Sequence, residues 1–428
     1  MPSDLAGKSP EQLAALWPEW IKRQDAQVRD RLAQGEEDSL VNLLMYGTTF
    51  TREPRLTAAF FERANALPAA RREPRIHAVV AARVRDLVNA VAVQRGNDRI
   101  DLVRRVVLKK GLGFAAAAER TRLGEYLVRS LDRVVQEMSG YAAELQKAKQ
   151  GGDVDQILAV RARLYAKRGV SLDTSWQPNL AIEQALRELL AAGVLAKGAA
   201  NRLAVVGPGL DFVDKGEGYD FYPVQTFQPF ALMDSALRLG VADRERVHVT
   251  SLDISERVNQ HLAGMHQRAQ ANTPYPVQLL REATVAWTPE AVSYWDHFGE
   301  QLGTPAPPVQ PPAVAGKLKV RALRIDPRFA ERVSAADLNI VYQRLPLATE
   351  ERFDVIIGTN IFVYYGVFEQ ALAMTNASRM LRPGGILLSN HVLPEPPGAG
   401  MESLGYVVTV YSDRPDDGDQ IFIYRKRE

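Results

Sequence analysis

The sequence contains no cysteine among its 428 residues. Disulfide-stapled scaffolds, thiolate metal centres and cysteine nucleophiles are therefore excluded. It also lacks any apolar run near the roughly 18 residues that a membrane span requires. The first residues, MPSDLAGKSPEQLAALWPEWIKRQD, contain no apolar segment of signal-peptide length. We therefore expect a cytoplasmic protein without a membrane span.

Histidine is scarce, and the common catalytic motifs are missing. Of six histidines, His261 and His266 are five residues apart on a predicted helix and do not share a face, so no metal pair is expected. HExxH, P-loop, GxSxG and protein-kinase signatures are absent. No metal site is predicted. His297 and His391 can serve either as a base for an acceptor or as structural side chains.

Neither sign of charge dominates the chain, but basic residues concentrate in its first part. The formal net charge is only +2, whereas the region from Arg52 to Lys110 holds 14 basic and 6 acidic residues. This surplus indicates either a surface for nucleic acid, anionic lipid or an acidic protein, or the solvated faces of helices. We favour helical faces, because the arginines alternate with apolar residues at helical spacing.

The N-terminal part of the chain has an almost wholly helical pattern. From Pro10 to about Arg168, apolar residues recur every three or four positions. An all-helical N-terminal domain is predicted over residues 1–178. Breaks between helices are predicted at glycine and proline positions, namely Gly35, Gly47, Pro54, Pro68, Gly96, Gly111 and the Gly151-Gly152 pair.

Residues 179–428 alternate between strand and helix patterns, which predicts an α/β fold with a doubly wound sheet. Five strand-like runs are separated by helical stretches: RLAVVGPG, VHVTSLDIS, LNIVYQRL, FDVIIGTNIFVYY and GGILLSNHVL. Two final runs, GYVVTVYSD and QIFIYRKR, predict an antiparallel hairpin. An insertion at about 273–335 ends in a proline-rich stretch, TPAPPVQPPAVAG, that is typical of a stiff extended linker.

From about Leu180 to Glu428 the chain resembles class I S-adenosylmethionine-dependent methyltransferases, whose sheet ends in an inserted antiparallel strand. The stretch from FDVIIGTNIFVYY to GGILLSNHVL is similar to the chemotaxis receptor glutamate methyltransferases, with their aromatic pair and glycine turn. The resemblance implies a Rossmann-like seven-stranded sheet, S-adenosylmethionine as cofactor, and methyl transfer to an acceptor. We expect a small-molecule acceptor ahead of a protein carboxylate or RNA.

The resemblance also implies cofactor-binding residues in the first two strand ends. Gly207 and Gly209 would bring the backbone close to the methionine and ribose portions of the cofactor. The family's acidic residue before this turn is replaced by Val205, and Asp211 takes the place of the third glycine. Asp253 ends the second strand, where the family places an acid that binds both ribose hydroxyls; capping the next helix is the alternative.

Three further strand ends supply the remaining candidates. Gln343 or its neighbour Arg344 would approach the adenine amino group, and Thr359 would bind the cofactor at the fourth strand. Asn360 and Tyr364 would position the acceptor, and His391, after the fifth strand, completes the candidate catalytic set. For Tyr364, packing beneath the sheet is the alternative.

The segment after the glycine turn is unusually long, acidic and aromatic. The chain from Gly209 to Asp253 is far longer than the roughly 20-residue glycine-to-acid spacing of nucleotide folds, and residues 210–230 form the excess. Such a loop can screen a sulfonium charge, stack on a substrate, hold a cation, or form a plain surface turn. We expect the helical domain and the insertion to cover this edge of the sheet and build the acceptor pocket.

Two other functions remain open. The altered glycine turn favours a non-catalytic binding protein that keeps the methyltransferase fold. A nicotinamide-dependent oxidoreductase is disfavoured by the weak GPG motif, the PGG turn before the fifth strand and the terminal hairpin.

Overall fold

The computed structural model describes residues 2–150, 169–170, 174–211, 218–414 and 417–427. The N-terminal region is helical, as predicted, with α1 (Pro10–Tyr46), α2 (Ala58–Asn65), α3 (Ala69–Val93), α4 (Asp98–Lys109) and α5 (Ala117–Gln150). The break predicted at Gly151-Gly152 lies outside the described residues. The boundary at 178 stays a prediction.

The break predicted at Gly35 is wrong, because α1 runs unbroken for 37 residues. Its start is fixed by Ser9, whose side chain accepts a hydrogen bond from the backbone N–H of Gln12 in a capping box. Gly35 serves close packing instead: a Cβ atom there would lie 1.8 Å from the carbonyl oxygen of Val170. The glycine lets a second chain segment cross the helix in contact with its backbone.

The strands of the described chain form two sheets. In chain order they are β1 (Arg202–Val206), β2 (His248–Asp253), β3 (Tyr275–Glu282), β4 (Gly303–Ala306), β5 (Leu318–Ile325), β6 (Val333–Asp337), β7 (Phe353–Gly358), β8 (Leu381–Ser389), β9 (Met401–Val410) and β10 (Gly418–Lys426). Among the described residues, seven strands form the main sheet, in the order β6-β2-β1-β7-β8-β10-β9. The strands from β6 to β8 run parallel, while β10 is antiparallel to both β8 and β9. The last strand is therefore inserted beside the fifth parallel strand, which confirms the predicted hairpin and α/β class.

Helices cover both faces of this sheet. They are α6 (Gln177–Ala191), α7 (Gln228–Arg238), α8 (Glu256–Gln270), α9 (Pro289–His297), α10 (Pro327–Ala330) and α11 (Val367–Met380). Alternate residues of β1 point to opposite faces, so that Val205 packs with α6, α7 and α8 while Val206 packs with α1 and α11. On the second face Trp20 of α1 meets the rings of Tyr342 and Phe368 edge-on. Each such contact contributes about 1 kcal/mol beyond the buried area.

The third parallel strand lies earlier in the chain than predicted. The run 338–345 was expected to be a strand, but β6 ends at Asp337 and the insertion therefore ends before Val333. Asn339 folds the next residues into a turn, since its backbone carbonyl accepts hydrogen bonds from the N–H groups of Tyr342 and Gln343. The apolar residues of this run are buried by packing at the end of the strand and not by pairing with another strand. Their apolar pattern therefore predicted a strand that the structure does not contain.

The insertion forms a small sheet of its own. Strands β3, β5 and β4 pair antiparallel in that order. Pro305 lies within edge strand β4, where a missing N–H is tolerated, so part of the predicted linker is a strand. In the part of the chain that the structure describes, no helix combines the length and apolar character needed to cross a bilayer.

Candidate functional site

A cavity opens at the carboxyl end of the parallel strands, the edge where ligands bind in open α/β sheets. Its empty space is about 810 Å3, a volume that includes the solvent in its open mouth. We call it the first cavity. Its walls come from the segments that follow four parallel strands: Gly207, Gly209, Asp253, Ile254, Leu338, Asn339, Ile340, Thr359, Asn360 and Ile361.

Asp253 ends β2 and lies in the wall of this cavity with only 4% of its surface exposed. Burial raises the pKa of its carboxyl group to about 7, although the backbone N–H groups of Ser255 and Gly209 donate hydrogen bonds to it. Helix α8 is capped by the Ser255 side chain, which accepts from the N–H of Val258. The helix cap is therefore Ser255 and not Asp253, which lines the cavity.

The glycine turn is required by the backbone. Gly207 and Gly209 adopt φ angles of 63° and 64°, in the left-handed region. A Cβ atom on Gly207 would lie 2.2 Å from Cδ1 of Ile361, at the end of β7. Gln228, the first residue of α7, donates from Nε2 to Oγ1 of Thr359 at 2.7 Å. The ends of β1 and β7 are thus held together beside the cavity.

Asn360 carries an uncommon backbone conformation for a non-glycine residue, with a φ of 60°. Its backbone N–H donates to Oδ1 of Asn390, and Nδ2 of Asn390 donates back to Oδ1 of Asn360, both at 2.8 Å. Asn390 in turn donates to Asp419 at 3.1 Å. Backbone strain of this kind is concentrated at functional sites. Tyr364, also in the cavity wall, is buried, and its carbonyl oxygen accepts from Arg31 at 3.1 Å.

Helix α1 of the N-terminal region closes one side of the first cavity. Leu32 lines the cavity directly. One turn earlier, Arg29 donates to the carbonyl oxygen of Ile254 at 3.0 Å and to Asp337 at 2.8 Å. The sequence predicted that the helical region covers this edge, but it did not single out Arg29 or Leu32. Neither residue carries a local signal, since Arg29 binds partners more than 200 residues away in the chain and Leu32 lines a cavity built from distant strand ends.

A second cavity, with about 500 Å3 of empty space, adjoins the first. Thr174 lines both cavities. Asp211 lines the second cavity and not the first. There its carboxylate accepts hydrogen bonds from the hydroxyl of Tyr222 and from Nε2 of Gln225, both at 2.8 Å. The insertion contributes residues 278–280 to this wall, as expected for a covered edge.

Three of the predicted candidates lie outside the first cavity. Besides Asp211, these are Gln343, which is exposed and accepts from the N–H of Asn339 at 2.9 Å, and His391, whose Nε2 lies 3.0 Å from Nε2 of Gln370. Six do line it: Gly207, Gly209, Asp253, Thr359, Asn360 and Tyr364. Residues 212–217 of the predicted acidic and aromatic loop lie outside the described residues.

Part of the basic surplus between Arg52 and Lys110 has a structural use. Arg83 is fully buried and donates to the backbone carbonyls of Leu44 and Gly47, which shapes the loop after α1. Arg99 is also buried and donates to the carbonyl oxygen of Tyr222, at the second cavity. These guanidinium groups face the protein interior and not an external partner.

No protein-family model matches the chain, and no curated protein matches it. Among solved structures, it is similar to the N-methyltransferase NodS from Bradyrhizobium japonicum WM9, with 12% identity over 58% of this chain and 95% of that one and a TM-score of 0.28. Magnesium protoporphyrin IX methyltransferase ChlM from Synechocystis PCC 6803 with bound SAM matches at 10% identity, 58% and 79% coverage, and a TM-score of 0.27.

A TehB-like SAM-dependent methyltransferase from Corynebacterium glutamicum matches at 11% identity, 58% and 98% coverage, and a TM-score of 0.26. The finer likeness to chemotaxis receptor methyltransferases stays a prediction. The seven-stranded sheet with its inserted antiparallel strand is a Rossmann-like methyltransferase fold, preceded in this chain by a helical region.

Proposed function

We propose that this protein transfers a methyl group from S-adenosylmethionine to a small-molecule acceptor, and that the first cavity binds the donor. The observation that carries the proposal is the buried Asp253, which ends β2 in the cavity wall beside the Gly207–Gly209 turn. A carboxylate has two acceptor oxygens and suits the paired hydroxyls of a ribose. Its Oδ1 also accepts from the N–H of Ser255 at 2.7 Å, which fixes its orientation.

The other residues of the first cavity fit the rest of the donor. Ile254, Leu338 and Ile340 offer apolar surface beside Asp253 for an adenine ring. The glycine turn and Thr359 offer backbone and hydroxyl groups for the methionine portion. When bound, the donor supplies a methyl group activated by a positively charged sulfur. The chain's own residues would hold the reactants in line and exclude water, which are the main sources of catalysis in such a transfer.

Two observations favour a small acceptor over a protein carboxylate or RNA. The second cavity is walled by buried side chains, which suits a ligand that is enclosed on binding. In addition, Arg83 and Arg99 of the basic region are used inside the protein. A chemotaxis receptor type of enzyme would instead need an accessible surface for a protein side chain.

Calorimetric titration of the native protein with S-adenosylmethionine and S-adenosylhomocysteine tests the proposal. We expect saturable binding that is lost in Asp253→Ala and kept in Asp243→Ala. Asp243 is the control, because it lies on an exposed turn and lines neither cavity. Failure of both ligands to bind the native protein would reject the proposal, and tight binding of NADH would favour an oxidoreductase.

A non-catalytic binding protein is the second candidate, favoured by the altered glycine motif. Val205 is fully buried where the family has an acid, and Asp211 replaces the third glycine. Incubation with methyl-labelled S-adenosylmethionine and fractionated small-molecule extract separates the two functions. Label transfer supports the enzyme, whereas cofactor binding without transfer to any fraction supports the alternative.

A further inference from the structure

The second cavity shares its walls with the first along three chain segments. Thr174 lines both cavities, and the chain passes from Ser175 to Gln177 in the second cavity on to Pro178 in the first. The turn that places Gly207 and Gly209 in the first cavity continues to Asp211 in the second. Likewise Phe227 lies in the second cavity and its neighbour Gln228 in the first. A ligand in the second cavity therefore borders the proposed donor site.

Aromatic rings form much of the second cavity's wall. Trp176, Tyr219, Tyr222 and Phe227 line it and are all at most 9% exposed. Two of the rings are held in place, since Phe227 stacks on Phe298 at 4.6 Å and Trp176 donates from Nε1 to the carbonyl oxygen of Leu280, another residue of the cavity wall, at 3.0 Å. Two of the four rings already hold a cation, because the guanidinium carbon of Arg55 lies 4.1 Å from the ring centre of Tyr219 and that of Arg99 lies 5.2 Å from the ring centre of Tyr222. Aromatic faces carry partial negative charge and attract cations, so the rings of Trp176 and Phe227 are the ones that would serve a ligand cation.

Asp211 adds a carboxylate to the same wall. Its two oxygens accept hydrogen bonds from the hydroxyl of Tyr222 and Nε2 of Gln225, which fix the orientation of the carboxyl group. Gln225 is itself locked, because its amide exchanges hydrogen bonds of 2.8 Å with both the carbonyl oxygen and the N–H of Gln278. The negative group is therefore preorganised before any ligand arrives.

We propose that the second cavity is the acceptor site and that the acceptor is an amine, bound as an ammonium ion on a small flat or apolar body. The combination of aromatic faces and a fixed carboxylate suits such a cation better than a neutral alcohol or an acid. This inference rests on the proposed function, because it assigns the acceptor to the cavity next to the donor.

The transfer balances without any further reactant. The ammonium group releases one proton to solvent, and the freed electron pair on nitrogen forms the new nitrogen–carbon bond. The carbon–sulfur bond breaks with its electron pair remaining on sulfur, which becomes a neutral thioether. The products are a methylated ammonium ion and S-adenosylhomocysteine.

Ligand-observed saturation-transfer NMR tests the acceptor class on protein saturated with S-adenosylhomocysteine. The probes are tryptamine, its neutral analogue tryptophol and the acid indole-3-propionate, all of which share one ring. We expect tryptamine to bind at least tenfold more tightly than the other two. Asp211→Asn, which keeps the side-chain shape, should remove this preference and leave S-adenosylhomocysteine affinity within twofold. Asp243→Asn, on an exposed turn remote from both cavities, is the matched control.

The outcomes separate the two proposals. Equal binding of the three probes, absence of tryptamine binding at millimolar concentration, or an unchanged preference in Asp211→Asn would overturn the amine assignment. The comparison of the three probes on the native protein holds even if the variant fails to fold. Failure of S-adenosylhomocysteine to bind the native protein would instead overturn the proposed function, and with it the assignment of an acceptor site.

Discussion

Oδ1 of Asp220 accepts two hydrogen bonds from Thr48, one from its backbone N–H and one from its hydroxyl group, both at 2.6 Å. Oδ2 accepts the same pair of bonds from Thr49, at 3.1 and 2.6 Å. The carboxylate is 2% exposed and joins the loop after α1 to the segment that supplies two rings of the second cavity, Tyr219 and Tyr222. The N-terminal region thus holds the wall of the proposed acceptor site in place.

Asp220→Asn should destabilise the protein by about 3 kcal/mol, because an amide NH2 would face donors and leave buried N–H or O–H groups without an acceptor. Chemical denaturation measures the loss. Thr49→Ser is the control, since it keeps both donors, and it should change the free energy of unfolding by less than about 1 kcal/mol. Equal effects of the two substitutions would show that the four hydrogen bonds are not what stabilises this contact.

The affinity for S-adenosylhomocysteine should rise about tenfold between pH 6 and pH 8, following ionisation of a carboxyl group with a pKa of about 7. The ionised Asp253 accepts from two ribose hydroxyls, whereas the protonated form accepts less well. Calorimetry across this range measures the change. In Asp253→Asn the remaining affinity should not vary with pH, and a native profile equally flat would contradict the assignment.

The same carboxyl group makes stability depend on pH in the opposite direction. Its pKa is raised above the unfolded value of about 4, so its stabilising contribution is complete below that pH and is lost as pH rises to about 7. The free energy of unfolding of the native protein should therefore fall between pH 4 and pH 7 relative to that of Asp253→Asn. Parallel profiles of the two proteins would show that Asp253 is not buried as described.

Gly207→Ala should destabilise the protein and weaken donor binding, for two separable reasons. Alanine at a φ of 63° costs about 1–2 kcal/mol, and its Cβ atom would overlap the Ile361 side chain. In an Ile361→Ala background the overlap disappears, so the cost of Gly207→Ala should fall by about 1 kcal/mol or more. A double-mutant cycle of unfolding free energies measures this coupling, and strict additivity would contradict the contact.

Two substitutions of Asn360 should separate the energetic cost of its backbone conformation from the contribution of its side-chain hydrogen bond. Both Asn360→Gly and Asn360→Ala lose the side-chain bond to Asn390, but only glycine relieves the φ of 60°. Asn360→Ala should therefore be less stable than Asn360→Gly by about 1 kcal/mol. Denaturation of both variants tests this, and the reverse order would show that the strained conformation is absent.

The sequence correctly predicted those helices and strands whose pattern lies within a few neighbouring residues. The helix over 256–270 and the placement of Asp253 at a strand end follow from periodicity and from a short apolar run. The third strand was misplaced because Leu338, Ile340, Val341 and Tyr342 are buried without strand pairing, so that their burial imitated a strand. The break at Gly35 was wrong because a glycine can serve a crossing chain segment as well as a turn.

The composition of the site depended on contacts that no local pattern encodes. Leu32 reaches the first cavity from a helix in another part of the chain, and Thr174 joins the two cavities. Asp211 was expected beside the cofactor, but the chain turns after Gly209 and carries it into the second cavity. The turn is fixed by pairing between Asp211 and Gln225, which are 14 residues apart.

The central claim is that the first cavity holds the donor through Asp253, and a crystal structure of the protein with S-adenosylhomocysteine tests it most directly. We predict electron density for the ligand in this cavity, with both ribose hydroxyls within hydrogen-bonding distance of the Asp253 carboxylate. An empty first cavity at saturating ligand, or a ligand bound with its ribose away from Asp253, would contradict the account.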